Sequence, residues 1–358
     1  MNIKKLKKFY KNKRVLVTGH TGFKGTWLCL ILNFLGAKVT GYSLSPKPGD
    51  NFDFYKKIGL RKNIKSNFGN ILNKKKLLLV IENCKPQVLF HLAAQSLVIK
   101  SYLDPKTTLE TNIIGTANVL DACKKQKSLR SLIIVTSDKC YLNLEKRKNF
   151  TERSPLGGND PYSFSKAMAE RLVTLYRNQI YKKTSVGLAT VRAGNVVGGG
   201  DFSENRIIPD IIKHILKKKN LILRNPKSYR PWQHIFDVLT GYLILGIQLS
   251  KNKNYFSGSY NFGPKDKKNY TVLELTQKFL NKLVNKKYKI KYNKTNLYES
   301  SCLDINSNKS RKKLKWKTNY TGITMIEKTI DWYKVFINNP NKIKQFSIKQ
   351  ILDYFNKL

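Results

Sequence analysis

Tyr162 and Lys166 stand four residues apart in the segment Tyr-Ser-Phe-Ser-Lys. On a helix that spacing brings both side chains to one face. An ammonium beside a phenol favours the phenolate and lowers its pKa, which would make Tyr162 a usable base near neutral pH. Ser137 ends an apolar run, where its hydroxyl could bond the same substrate hydroxyl; Tyr, Lys and Ser then form a hydride-transfer triad. Asp138 and Lys139 follow at once, an acid and an amine at one strand end. Upstream, residues 19–25 read Gly-His-Thr-Gly-Phe-Lys-Gly. Glycines at 19, 22 and 25 allow a tight turn and let backbone N–H groups approach a pyrophosphate at a helix N-terminus. Each part alone has a bland reading: a chance Tyr-Lys pair, a polar loop, a structural turn. Together they outweigh it.

The surrounding pattern is suited to positioning these groups. Residues 14–18 (RVLVT) form a short β-branched run before the glycine turn. Helical spacing of Trp27, Leu28, Ile31, Leu32 and Leu35 follows over 23–36, and 37–44 reads as a second strand. That β-turn-α-β unit implies parallel strands with a right-handed crossover. Residues 88–92, 131–136 and 185–191 read as further strands, with helical patterns over 107–127 and 160–180. The expected fold class is α/β, a Rossmann-like doubly wound parallel sheet over 14–194. Past residue 195 the texture changes, with three glycines at 198–200 and an apolar helix near 237–249. Residues 195–337 are expected to form a smaller mixed α/β lobe, to which the resemblance described below assigns the substrate. Residues 1–13 read as a solvated basic tail and 338–358 as a peripheral helix or tail.

The chain has 358 residues, 41% hydrophobic and 25% charged, enough for a sizeable core. Lys and Arg number 68 against 22 Asp and Glu, giving +46. Only 12 of the 68 are Arg, and the lysines are scattered rather than set in a stripe with interleaved aromatics. This argues for compositional bias over a nucleic-acid footprint, although the charge would still steer anionic substrates inward. The five cysteines, at 29, 84, 123, 140 and 302, form no CxxC pair and have no His at metal-ligand spacing. No metal site is expected. Reduced thiols, no apolar run of about 18 residues and no secretory leader point to a cytoplasmic protein away from membranes.

These segments resemble the extended short-chain dehydrogenase/reductases that act on nucleotide sugars. The carriers are VTGHTGFKGTWL at 17–28, GYSLSP at 41–46, HLAAQSLV at 91–98, TNIIGT at 111–116, VTSDKCY at 135–141, DPYSFSK at 160–166, RAGNVVGGGD at 192–201 and RPWQHIFD at 230–237. The Ser137-Asp138-Lys139 triplet resembles that of the 4,6-dehydratase subgroup acting on CDP-glucose. The resemblance implies bound NAD, C4 oxidation with Tyr162 as base, water loss across C5 and C6, and hydride return to C6. Lys166 would hold the ribose and tune Tyr162, Ser137 would orient the 4-oxygen, and Asp138 would protonate the leaving hydroxyl. Lys139, standing where related enzymes carry Glu, would take the C5 proton if burial and nearby cations depress its pKa.

On the cofactor side the resemblance assigns Gly19, His20, Gly22, Phe23, Gly25, Ser43, Asn70, Ile71, Leu92, Ala93, Gln95 and Asn112. His20 reads equally as a solvated loop residue, and Asn112 as a helix cap. The second strand ends without Asp or Glu, so its residues leave NAD over NADP open, with Ser43 offered to the ribose. Asn195, Arg206, Arg230 and His234 are the candidates for the sugar nucleotide, the arginines for the diphosphate. His91, on a buried strand, reads as a satisfied core histidine. The implied partners are CDP-glucose and a second copy of the chain, and the implied product serves deoxysugars of surface polysaccharide such as lipopolysaccharide O-antigen. A 4-epimerase would need Tyr162 and Lys166 but not Asp138 and Lys139. A dehydratase for another nucleotide sugar remains open. A non-catalytic, RNA-associated relative would be expected to have lost Tyr162, Lys166 or the glycine turn, and all three are present.

Overall fold

The computed structural model describes residues 2–46, 52–145, 149–217, 221–228, 230–265, 270–283, 290–292 and 303–357. Seven strands form one sheet: β1 (Arg14–Thr18), β2 (Lys38–Ser43), β3 (Lys65–Phe68), β4 (Val88–His91), β5 (Ser131–Val135), β6 (Gly187–Ala193) and β7 (Gly258–Phe262). Their order across the sheet is β7-β6-β5-β4-β1-β2-β3, and every pairing is parallel. β4 and β6 are buried along their whole length. Helices cover both faces of a parallel sheet, so such strands read as continuous apolar runs. The order reverses between β1 and β4, which opens a crevice beyond their carboxyl ends.

The longer helices are α1 (Ile3–Tyr10), α2 (Phe23–Phe34), α3 (Lys74–Cys84), α4 (Gly115–Cys123), α5 (Pro161–Leu175), α6 (Ile207–Lys217), α7 (Ile235–Lys251), α8 (Val272–Leu283), α9 (Gly322–Asn338) and α10 (Ile343–Phe355). The expected helices over 107–127 and 160–180 appear as α4 and α5 joined to single π turns, Glu110–Ile114 and Tyr176–Ile180. Asp160 caps α5: its Oδ1 accepts from Ser163 N at 2.9 Å, and Pro161 begins the helix. His91 is a satisfied core histidine, with Nδ1 2.7 Å from Thr18 Oγ1 and Nε2 3.2 Å from Thr116 Oγ1.

Three boundaries differ from expectation. The sheet does not end before residue 194, because β7 returns after a long excursion and pairs with β6. α7, expected in the second lobe, packs on β5, β6 and α2, and its Leu239 and Leu243 join the core beneath the sheet. The two lobes therefore share that core. Residues 1–13 are no solvated tail. Leu6 and Tyr10 of α1 are fully buried, and the Tyr10 hydroxyl donates to Leu243 O at 2.8 Å. The lysines of this helix hid an amphipathic face, one turn of which is apolar. The last segment is a core helix: α10 buries Ile343, Ile351, Tyr354 and Phe355.

The glycines at 198–200 serve close packing. A Cβ on Gly199 would lie 2.0 Å from the Trp332 ring, and Gly199 O accepts from Trp27 Nε1 at 2.8 Å. That loop ties α2 to α9 and closes one side of the crevice.

Candidate active site

A cleft of about 580 Å³ opens over the carboxyl ends of β1, β4, β5 and β6. At its floor the glycine turn leaves β1 and enters α2. Gly19 has φ +72°, and a Cβ there would lie 2.7 Å from Ala93 N, so only glycine fits. Gly19 N donates to Tyr42 O at 2.8 Å and Gly22 N to Gly19 O at 3.1 Å, which fixes the turn. Gly19, Gly22, Phe23 and Gly25 all line the cleft, as do Leu92 and Ala93 after β4. Ser43 lines it at the end of β2, its hydroxyl 3.0 Å from Thr21 Oγ1. Asn70 and Ile71 line it beyond β3; Asn70 Oδ1 already accepts from Leu72 N at 3.0 Å. A bare glycine turn, a helix N-terminus and a run of small or apolar walls fit a dinucleotide.

Ser137, Asp138, Lys139, Tyr162 and Lys166 line the same cleft. Ser137 and Asp138 lie at the end of β5, Tyr162 and Lys166 on α5. The Lys166 ammonium lies 5.9 Å from the Tyr162 ring centroid. Ser137 Oγ donates to Asp138 Oδ1 at 3.0 Å and accepts from Lys139 N at 3.2 Å.

Burial governs the charges here. It pushes the Tyr162 phenol up to about 12, against the pull of Ser137 and Arg206. Desolvation outweighs the nearby cations, so Lys166 by itself does not make Tyr162 a base near neutral pH. Burial also brings Lys166 down to about 8, with Glu170 drawing it back up. It holds Asp138 above its ordinary value despite Lys139, Ser137, Lys24 and Arg230, which suits a proton donor. Lys139 is half-buried, so the deep burial expected for it is absent.

Asn195, Arg206 and Arg230 line the opposite wall. Arg206 pairs with Asp201 at 3.1 Å and donates to Ser96 Oγ at 3.1 Å. Four expected residues lie outside the lining. His20 is fully buried under β2, its ring stacked on Phe68 at 5.9 Å and against Tyr55 at 5.7 Å. A Cβ on Gly41 would lie 2.3 Å from that ring, so the turn points His20 into the core, away from any pyrophosphate. Gln95 and Asn112 hold each other: Asn112 Oδ1 accepts from Gln95 N at 2.9 Å, and Asn112 Nδ2 donates to Gln95 O at 3.0 Å and to Ser165 Oγ at 2.8 Å. Asn112 sits within a continuous helix rather than opening one. It staples the loop after β4 to the helix that carries Tyr162. His234 caps α7, its Nδ1 accepting from Phe236 N at 3.3 Å, and packs against Phe236 and Tyr320. It faces the core, not a phosphate.

Two site features escaped the sequence reading. Lys24, inside the glycine turn segment itself, lines the cleft close to Asp138, Arg206 and Lys166. Burial, with Arg206 and Lys166 beside it, brings it down to about 8 against the pull of Asp138 and Asp201. A lysine on an otherwise apolar helix start was the available signal. Beneath the cleft, Glu170 lies one turn beyond Lys166 and pairs with Arg192 at 2.6 Å, both side chains buried. Glu170 also accepts from Thr136 Oγ1 at 2.5 Å and Thr190 Oγ1 at 2.8 Å. Arg192 bonds Tyr141 Oη at 2.8 Å. This network ties α5 to the ends of β5 and β6.

The family model for GDP-mannose 4,6 dehydratase matches residues 16–329. The chain is 36% identical over 356 residues to the CDP-glucose 4,6-dehydratase of Salmonella typhimurium, covering 98% of both chains. Among solved structures it is similar to a dTDP-glucose 4,6-dehydratase from Bacillus anthracis in complex with NAD. There the identity is 26% and the TM-score 0.75, over 91% of this chain and 97% of that one. An epimerase from Methanothermobacter thermautotrophicus, 21% identical with TM-score 0.79 over 95% and 97% of the two chains, shares the fold. Matched from the first strand to the ninth helix by the family model and nearly end to end by a curated relative, the chain belongs to the GDP-mannose 4,6 dehydratase family.

Proposed function

We propose that this chain is a hydro-lyase that converts CDP-glucose to CDP-4-keto-6-deoxyglucose with NAD as its resident cofactor. The observation that carries the reading is the buried Asp138 beside Tyr162 and Lys139 in one cleft. A 4-epimerase needs the tyrosine and lysine but no acid for a leaving 6-hydroxyl. The full-length similarity to a CDP-glucose enzyme favours that nucleotide, and relatives solved with NAD favour that cofactor.

NAD would supply reversible hydride acceptance at the sugar carbons. The backbone of the glycine turn would hold its pyrophosphate, Ser43 and Lys166 its ribose hydroxyls, and Asn70 and Ile71 its adenine end. Tyr162 takes the 4-hydroxyl proton as C4 is oxidised, and the positive charge of a bound nicotinamide would add to that of Lys166 in favouring its phenolate against burial. The resulting ketone acidifies C5, whose proton goes to Lys139. Asp138 protonates the departing 6-hydroxyl, and burial, by raising its pKa, favours the protonated form that this needs. Arg206 and Arg230 pair with the diphosphate, and Asn195 donates to a phosphate or sugar oxygen.

A homodimer accords with exposed apolar side chains on neighbouring helices: Ile114 beside α4, and Phe164 and Leu175 on one face of α5. A cytoplasmic enzyme supplying deoxysugars for surface polysaccharide follows from the same reading. Among the described residues no helix is long and apolar enough to cross a membrane.

Proton NMR of the protein with NAD and CDP-, dTDP-, GDP- or UDP-hexose tests the assignment. A new C6 methyl doublet, strongest with CDP-glucose, is expected. Inversion at C4 without a methyl signal would make the enzyme an epimerase, and a doublet favouring another nucleotide would correct the substrate.

A further inference from the structure

A carboxyl that is to give up a proton must first keep it, and Asp138 stands among cations that favour its loss. Lys139 beside it, Lys24 on α2 and Arg230 before α7 all pull its pKa down, as does the Ser137 hydroxyl. Cys140, Tyr162 on α5 and Tyr242 on α7 are the titratable groups that feel its charge in turn. Burial outweighs the cations, although Asp138 lies on the wall of an open cleft. Part of the carboxyl must therefore be kept dry.

Its two oxygens have different surroundings. Oδ1 accepts from Ser137 Oγ at 3.0 Å. Oδ2 is buried and finds no hydrogen-bond partner among the described residues. Oδ2 and the Pro231 ring both crowd Gly194, the residue after β6. A Cβ built on Gly194 would lie 2.9 Å from Oδ2 and 2.9 Å from Pro231 Cγ, closer than real Cβ atoms come. Gly194 has no left-handed φ, so space rather than backbone conformation calls for glycine there. Neither neighbour is free to retreat. Oδ1 is held by Ser137, and the Pro231 loop is tied down where Gln233 N donates to Asn195 O at 3.0 Å and Gln233–His234 pairs with Val196–Val197.

We infer that Gly194 and Pro231 are positioning residues for the general acid of the dehydration: they form a dry seat for Asp138 Oδ2, and the absent side chain at 194 lets the carboxyl lie in it. The seat offers no donor to a negative oxygen. An ionised Asp138 would leave Oδ2 bare, whereas a protonated carboxyl occupies the seat at lower cost. The use made of that proton rests on the dehydratase reading; the seat itself does not.

The test is an infrared titration of the Asp138 carboxyl in the NAD-loaded enzyme, by difference against Asp138→Asn, together with the pH profile of methyl formation. Gly194→Ala drives the carboxyl towards the cleft. It should lower the titration midpoint by about one pH unit, which slows methyl formation about tenfold at a fixed pH above the high-pH limb. The loss should fall on kcat for water elimination, so that a 4-keto hexose builds up ahead of the methyl product. Pro231→Ala wets the seat without crowding it and should move both readouts the same way. In the double variant the new methyl takes the place of the lost ring carbon, and both readouts should return most of the way to wild type. Purely structural damage would add instead. Additive losses, or a midpoint unmoved in both single variants, would overturn the seat. Wild type forming no methyl product would overturn the dehydratase reading, and the infrared midpoints would still decide the seat.

Discussion

In the proposed reaction Asp138 carries the distinction between water loss and mere oxidation. Its carboxyl is held above the ordinary value by burial, so at neutral pH it retains more of its proton than a surface aspartate would. Asp138→Asn keeps the shape and removes the proton. It should slow methyl formation by about 10²–10⁴-fold while leaving C4 oxidation in place, so that a 4-keto hexose accumulates. Proton NMR together with absorbance at 340 nm checks this, and undiminished methyl formation would remove Asp138 from the acid role. Tyr162 and Lys166 were legible from residue type and spacing, and Asp138 from the resemblance its segment carries. Their protonation was not. A phenol pushed up to about 12 and lysines at 24 and 166 brought down to about 8 depend on how much water the folded chain removes.

Between α5 and the ends of β5 and β6, the Glu170–Arg192 pair fixes the helix that bears the catalytic side chains. Burial alone would push Glu170 up, but Arg192 and the two threonine hydroxyls hold it below the usual carboxylate range. Its contribution to stability is therefore present above about pH 4.5 and lost as pH falls through the lowered value. Glu170→Gln leaves Arg192 as an uncompensated buried charge. Such a change costs about 3–5 kcal/mol, read as a lower urea midpoint. It should also lower the pKa of Lys166 further, since Glu170 is what draws that ammonium up. An unchanged midpoint would mean that solvent reaches the pair. Strands β1, β4, β5 and β6 were legible because a strand buried on both faces is a plain apolar run. β3 was not, because Lys65–Phe68 sits at the sheet edge and is polar. β7 was hidden by its distance in sequence from the rest.

The whole molecule is closed by its C-terminal helix. Asp237, at the start of α7, accepts from Asn319 N at 2.7 Å and from Tyr354 Oη of α10 at 2.7 Å. Burial pushes its pKa up to about 7 against those bonds. Asp237 thus stabilises the fold most below about pH 4, its unfolded value, and that stabilisation is lost as pH rises through about 7. Asp138, also raised, and Asp210, raised to about 6, act in the same direction. Burial lowers His20, His91 and His234 to about 4, 3 and 3, and these act in the opposite direction over the same range. Against that background Asp237→Asn should make the slope of urea midpoint against pH, between about pH 4.5 and 7, more positive than in wild type. An unaltered slope would place the titration elsewhere. The charge of +46 acts at the same scale. With Arg206, Arg230, Lys24 and Lys166 around one cleft, KM for the anionic sugar nucleotide should rise as salt shortens the Debye length from about 10 Å at 0.1 M to about 3 Å at 1 M. A salt-independent KM would mean that the surface lysines do not steer substrate.

By itself the sequence determined the α/β class, the glycine turn and the identity of the groups that can move protons. These follow from local spacing and residue type, which a chain carries before it folds. Tertiary structure alone decided that His20 and His234 face the core and that Gln95 and Asn112 brace a loop instead of lining the cleft. It also turned the two apparent tails into core helices, and it brought Ser137, Asp138 and Tyr162 to one cleft. Those outcomes depend on which way a side chain points and how much water surrounds it, and both are set by contacts between residues far apart in the chain.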